Sequence, residues 1–172
     1  MSITQEQVKA LFDYRDDGEL IRKIPTSGPH GAVGLVVGFT LKDTNRPDKM
    51  YKATKINGQH FCIHRLIWVW HHGDWPEQLD HIDRNTLNNK IENLRVASAS
   101  KNMMNRKMFA SNTSGCPGVS WHKLQKKWVA YVNVDKKRKN LGYFSDLDDA
   151  IKVSTEARKT YHGDFFGHEV RR

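Results

Sequence analysis

Seven residues, Leu79-Asp80-His81-Ile82-Asp83-Arg84-Asn85, constrain this chain more than any other stretch once Asn93 and Asn102 are read with them. Glu77 to Ile82 reads as a strand opened by Pro76, and the Asn-rich run from Asn85 to Asn93 reads as a loop. Leu94 to Ala97 reads as a short second strand. Ser98 reads as an N-cap, with a helix running to about Lys107. Two strands and a helix would then face one point. The residues at that point have the chemistry to act on a phosphodiester. A neutral histidine takes a proton from water near pH 7, worth about 10²–10⁴ in rate. The Asp80 carboxylate and the Asn102 amide form a hard, oxygen-only donor set of the kind magnesium accepts. Neighbours on a strand point to opposite faces, so Asp80 and His81 need a twisted or frayed strand end to serve one phosphate.

The phrases Asp80-His81-Ile82-Asp83, Glu92-Asn93-Leu94-Arg95 and Ser100-Lys101-Asn102-Met103-Met104-Asn105-Arg106 closely resemble the His-Asn-His (HNH) homing endonucleases, phage or intron type, in the branch whose last motif residue is Asn. Asn93 stands twelve residues beyond His81 and Asn102 twenty-one. The resemblance spans Tyr51 to Lys107 and includes the block His64-Arg65-Leu66-Ile67-Trp68 upstream of the motif strand. It implies a ββα-metal finger over about residues 76–107. Within it His81 would be the general base, Asp80 and Asn102 the metal ligands, and Asn93 a brace for the loop. The implied cofactor is one Mg²⁺ (or Mn²⁺) and the implied partner is double-stranded DNA. Arg106 and Lys107, at the end of the predicted helix, join the DNA-contacting set.

Composition agrees with a polyanionic partner. The chain carries 28 basic and 19 acidic residues over 172 positions, a formal charge of +9. No apolar run approaches the roughly eighteen residues of a membrane span, and the start of the chain lacks the pattern of a signal peptide, so a cytoplasmic location is expected. Cys62 and Cys116 stand alone, with no Cys-x-x-Cys pair, so no structural zinc is expected. His60, Cys62 and His64 alternate as a possible ligand row, which the half-buried face of a hairpin explains more cheaply.

Upstream of the motif, Thr4-Gln5-Glu6-Gln7 is a capping box before the apolar residues Val8, Leu11 and Phe12, which predicts a short helix. Asp16-Asp17-Gly18 reads as a turn, followed by strands over Glu19–Ile24 and Leu35–Thr40. Asn57-Gly58 predicts a hairpin between Tyr51–Ile56 and Gln59–His64. A short buried helix closed by Gly73 follows, with its tryptophans read as core.

Past a polar linker over 108–114, a second module occupies 115–166, ahead of a basic tail over 167–172. Strands are predicted over Val119–Lys123, Trp128–Val134 and Arg138–Phe144, the last broken at Gly142. Ser145 is read as the N-cap of a helix reaching Tyr161, with an apolar stripe Leu147, Ala150, Ile151, Ser154, Ala157 and Tyr161. Gly118-Val119-Ser120-Trp121, Lys127-Trp128-Val129-Ala130-Tyr131-Val132 and Leu141-Gly142-Tyr143-Phe144 resemble the ethylene-response-factor (APETALA) type of DNA-binding domain. That resemblance implies a sheet laid in the major groove with the helix behind it. Alternation sends Trp128, Ala130, Val132 and Val134 to the helix, and Lys127, Val129, Tyr131 and Asn133 to DNA. Ser120, His122, Arg138 and Asn140 join the DNA face. The resembled family usually carries arginines where Ser120 and His122 stand, which changes the base preference to be expected, since Arg to guanine is the commonest specific contact.

The whole reads as an α+β chain. A nuclease domain (1–107) with N-terminal β-hairpins precedes a three-stranded antiparallel sheet packed on one helix. The expected function is metal-dependent hydrolysis of double-stranded DNA by a monomer or weak dimer, with no membrane association and no obligate small-molecule cofactor. The alternatives are a non-catalytic DNA-binding regulator that keeps the nuclease fold and, with less support, an RNA-binding module.

Overall fold

A computed structural model describes residues 3–44, 49–98, 112–134 and 137–166. The chain divides into two compact units, Met1–Ala97 and Ser98–Arg172.

In the first unit, α1 (Gln5–Leu11) starts at the expected capping box: Thr4 Oγ1 accepts from the Gln7 N–H and Gln7 Oε1 from the Thr4 N–H. Such a cap is worth about 1 kcal/mol. Phe12, expected on the helix, instead opens β1 (Phe12–Arg15), which pairs antiparallel with β2 (Glu19–Arg22) around the Asp16–Gly18 turn. The next strand starts later than its composition suggests. Val36 makes only an isolated bridge to Ile21, and β3 is Phe39–Lys42. β3 pairs with β4 (Met50–Ile56), and β4 with β5 (Gln59–Cys62). Asn57 (φ 47°) and Gly58 (φ 82°) both take positive φ at the β4–β5 turn, the requirement of a type I′ hairpin.

The second hairpin strand ends at Cys62, because Ile63 begins α2 (Ile63–His72). His64 is therefore helical and buried, which dissolves the alternating row His60, Cys62, His64. α2 ends on Gly73 in the left-handed region (φ 83°), as the sequence implied. Its Leu66, Ile67 and Val69 are fully buried against Val8, Phe12, Leu20, Val37 and Leu94. Each such side chain contributes about 1.5–3 kcal/mol of burial. The tryptophans are not pure core. Trp68, Trp70 and Trp75 are half-buried, and each donates its indole N–H, to Asp74 Oδ1, the Phe12 carbonyl and the Ile3 carbonyl respectively. After α2 come β6 (Leu79–His81), a loop ending in a single 3₁₀ turn over Ile91–Asn93, and β7 (Leu94–Val96), which pairs with β6.

In the second unit, β8 (Val119–His122), β9 (Lys127–Val134) and β10 (Lys137–Phe144) form an antiparallel sheet with β9 central. The helix α3 (Leu147–His162) packs on it. Cys116, Val119, Ala130 and Ala150 make the core, with Trp128, Leu141, Phe144 and Ile151 against it. Two local expectations change. The N-cap is Asp146, not Ser145: its Oδ1 accepts from the N–H groups of Asp148 (2.7 Å) and Asp149 (3.2 Å). The buried stripe of α3 ends on Arg158 rather than Tyr161, which is exposed. Arg158 is 6% exposed and lays its guanidinium 5.1 Å from the Phe166 ring, its apolar stem and charged head suiting it to the end of a buried stripe. Among the described residues, no helix is long and apolar enough to cross a membrane.

Candidate functional site

The short β6–β7 ladder is continued by one hydrogen bond at each end, from the Ala97 N–H to the Gln78 carbonyl (3.1 Å) and from the Ile82 N–H to the Asn93 carbonyl (2.9 Å). In the β6–β7 pair Asp80 faces Arg95 and His81 faces Leu94. Alternation puts His81 and Leu94 on the core side and Asp80 and Arg95 on the other. Arg95 donates from Nε (3.0 Å) and Nη2 (2.8 Å) to the same oxygen, Asp80 Oδ2, in a pair whose side chains are 13–15% exposed.

His81 is 5% exposed. Its Nε2 lies 3.2 Å from Asn89 Oδ1. The His64 ring, from α2, stands edge-on at 5.1 Å, and the Tyr51 ring of β4 lies 5.6 Å from His64 and 6.5 Å from His81. Burial lowers the His81 pKa below the ordinary histidine value, against opposing pulls from the Asn89 hydrogen bond and the Asp83 and Asp80 charges. His64 is pushed down to about 3, first by burial and then by the charges of His81 and Arg65. Both rings are therefore neutral at pH 7, the state a proton acceptor requires.

The loop between the strands is a closed network of Asn and Asp side chains. Asn93 Oδ1 accepts from the Asp83 N–H (3.0 Å), while its Nδ2 donates to Asp83 Oδ1 (2.9 Å) and to the Asn88 carbonyl (2.7 Å). The Asn93 carbonyl accepts from the Ile82 N–H at 2.9 Å. Asn88 Nδ2 reaches Asp83 Oδ2 (2.6 Å), and the Asn85 N–H reaches Asp83 Oδ1 (2.8 Å). Burial pushes the Asp83 carboxyl up, but the hydrogen bonds from Asn88, Asn85 and Asn93 and the nearby His81 outweigh it and hold the pKa below the usual value. Asn93 thus ties the residues following β6 to those preceding β7.

The structure brings Asp80, His81 and Asn93 onto one hairpin. Asn102, Arg106 and Lys107 lie outside the described residues, as do the predicted helix beyond Ser98 and the basic tail. Sequence reasoning gave Asp83, Asn89 and Arg95 no role, and weighed His64 in a possible ligand row on the hairpin, not beside His81. Asn88-Asn89 read only as turn formers, and the missing signal was that Asn89 is 1% exposed, which only tertiary contacts reveal. Among the described residues, no group of three or more His, Cys, Asp or Glu gathers as a metal cluster. An oxygen-only pair of one carboxylate and one amide is not such a group.

On the second unit, cross-strand register places Ser120, His122, Lys127, Val129, Tyr131, Asn133, Arg138 and Asn140 on one face of the sheet. Two details differ from simple alternation. Val129 sits mid-sheet between Ser120 and Tyr143 and is only 6% exposed, so it offers little surface. A bulge between Asn140 and Gly142, where Asn140 Oδ1 accepts from the Gly142 N–H, brings Tyr143 onto this face. Tyr143 lies edge-on to His122 at 5.5 Å, and the Arg138 guanidinium lies 3.5 Å over the Tyr131 ring.

The hairpin carries Asp80 and His81 on its first strand and is closed by the Asn93-braced loop, and comparison with known proteins assigns this stretch to a nuclease family. The HNH endonuclease family model matches residues 62–104, which hold β6, the loop and β7. Protein 3.8 of Escherichia phage T7 is 36% identical over 104 residues, 59% of this chain and 85% of that protein. The chain belongs to the HNH endonuclease family. The family match ends at residue 104, ahead of β8–β10 and α3. No solved structure matches the chain.

Proposed function

We propose that the protein is a DNA endonuclease of homing-endonuclease type that hydrolyses phosphodiester bonds in double-stranded DNA. The observation that carries this reading is His81: a neutral imidazole held by Asn89, one residue from Asp80, on the hairpin that the HNH family model matches. In this reading His81 takes the proton from the attacking water, and Asn93 keeps the loop closed behind it. Asp80, with Asn102, would hold one Mg²⁺ or Mn²⁺. The donors fit such an ion because both are hard oxygens. When bound, the metal offsets charge developing on the phosphate. With so few protein charges in its shell, it should bind weakly until DNA supplies phosphate oxygens.

In the same reading the C-terminal sheet is the DNA reader, in the manner of the ethylene-response-factor type domain. Ser120, His122, Lys127, Tyr131, Asn133, Arg138 and Asn140 supply the contacts, and Arg106 and Lys107 add phosphate contacts.

Supercoiled plasmid incubated with protein and Mg²⁺, then with EDTA, tests the activity. Metal-dependent nicking or linearisation that His81→Ala abolishes, with DNA affinity unchanged within a few-fold, is the expected result. A base acts on the chemical step and not on ground-state binding. A His81→Ala protein cutting at the wild-type rate would remove His81 from that role. One observation favours the second reading, a non-catalytic DNA-binding regulator: Asp80 Oδ2 is already held by two Arg95 donors. DNA binding without cleavage under several divalent metals would select it.

A further inference from the structure

Asn89 has one polar contact on His81 and no access to water. It is 1% exposed, its Oδ1 lies 3.2 Å from His81 Nε2, and its buried Nδ2 has no hydrogen-bond partner among the described residues. An amide oxygen can only accept. The ring nitrogen facing it must therefore carry the proton, and in a neutral imidazole the basic lone pair is then on the other nitrogen, Nδ1. Turned over, the amide would present Nδ2, a donor, and would force the opposite tautomer.

The backbone under Asn89 is held from a second element. Gly18, at φ +87° in the β1–β2 turn, comes so near that a Cβ there would lie 2.7 Å from the Asn89 carbonyl carbon and 2.5 Å from the Lys90 nitrogen. Two residues before that turn begins, Tyr14 Oη accepts from the Ile91 N–H at 3.2 Å. The N-terminal hairpin thus bears on residues 89–91 at two points, and it lies outside the 62–104 segment that the family model covers. His64 stands edge-on to the His81 ring at 5.1 Å.

We propose that Asn89 is a positioning residue that fixes His81 in the Nε2–H tautomer, with Nδ1 as the proton-accepting nitrogen, and that the β1–β2 hairpin holds Asn89 there. The proposal deepens the assignment of His81 as general base and rests on it for its catalytic consequence. The tautomer itself can be read independently of catalysis.

The test uses the full chain with ¹⁵N-labelled histidine. Long-range ¹H–¹⁵N correlation at neutral pH assigns the protonated nitrogen of His81, and plasmid cleavage with Mg²⁺ is measured in parallel. Wild type should show Nε2–H. Asn89→Leu, which removes the acceptor, should show a mixture of tautomers and a cleavage rate lower by roughly 10–100-fold, as for other lost outer hydrogen-bond partners, with DNA affinity unchanged. Asn89→Asp keeps an acceptor oxygen and should recover Nε2–H and more of the rate than Asn89→Leu. Two results overturn the proposal: Nδ1–H in wild type, or a folded Asn89→Leu protein with the wild-type tautomer and rate. If Asn89→Leu does not fold, the wild-type spectrum and Asn89→Asp decide. A His81→Ala protein that still cuts would end the general-base assignment instead, and the wild-type spectrum compared with those of the Asn89 variants would still report whether Asn89 sets the tautomer.

Discussion

Arg95 and Asp80 meet across the β6–β7 pair with both guanidinium donors, at 2.8 and 3.0 Å, on one carboxylate oxygen. A divalent cation at Asp80 must share that carboxylate with a fixed positive charge. Arg95→Gln removes the charge and should therefore lower the Mg²⁺ concentration giving half-maximal cleavage. Relief of about 1 kcal/mol of competition would shift it roughly five-fold. The same change should cost about 1–3 kcal/mol of stability, because it strips a largely buried carboxylate of a charge-assisted hydrogen bond. Metal titration of the cleavage rate, alongside thermal unfolding, checks both. A Mg²⁺ midpoint that stays put while stability falls would mean the pair is scaffold and Asp80 does not hold the metal.

His64 gives the first unit an acid sensitivity with a definite sign. Its folded pKa, about 3, lies below the ordinary value of 6.5. Above pH 6.5 both folded and unfolded chains hold it neutral, so it has no effect. Below that value only the unfolded chain takes up the proton, so stability falls as pH falls, by up to about 1.4 kcal/mol per unit from this group, until pH nears 3. His64→Leu should flatten that slope. Urea midpoints followed on the α2 amide signals between pH 4 and 7 measure it. Parallel curves for wild type and variant would show that His64 is protonated without unfolding.

Gly18 should tolerate no side chain, although it sits in an exposed-looking Asp-Asp-Gly turn. Its φ of +87° is strained for any other residue, and a Cβ would press on the Asn89–Lys90 backbone. Gly18→Ala is expected to lower stability by about 1–3 kcal/mol. It should also slow cleavage more than a change at Gly28, where an added Cβ meets nothing within 4 Å. Equal cleavage rates for Gly18→Ala and Gly28→Ala would detach the N-terminal hairpin from the site.

The sequence disclosed the elements that obey local rules. Thr4 and Gln7 cap α1, Asn57-Gly58 turns the β4–β5 hairpin, Gly73 stops α2, and alternation along β9 sorts most of its side chains. The failures were places where a distant contact overrides a local preference. Ser145 and Asp146 are both good N-caps, and only the placement of α3 on its sheet decides between them. One extra residue at the Asn140–Gly142 bulge moved Tyr143 to the other face, and neither composition nor period encodes that shift clearly. In the site, Asp80, His81 and Asn93 were visible from their spacing. Asn89, His64 and Arg95 were not, because their roles are set by a neighbouring helix, a cross-strand partner and a hairpin some seventy residues upstream.

Arg138 and Tyr131 make the last testable pair. The guanidinium lies 3.5 Å over the ring, on the face that carries Lys127, Asn133 and Asn140. Stacking of this kind is worth about 0.5–1 kcal/mol at an exposed site and holds the arginine in a fixed direction. If this face reads DNA, Arg138→Ala should remove one cationic contact and reduce the slope of log K against log[salt] by about 0.9. Should the contact be bidentate to guanine, specific binding should also weaken by about 1–3 kcal/mol more than nonspecific binding. Tyr131→Phe keeps the ring and should change little, whereas Tyr131→Leu frees the guanidinium and should cost specific affinity with the salt slope intact. Fluorescence anisotropy with a mapped cut site and a scrambled duplex, at several salt concentrations, separates these outcomes. An unchanged salt slope and unchanged cut positions for Arg138→Ala would mean that this sheet face does not touch DNA.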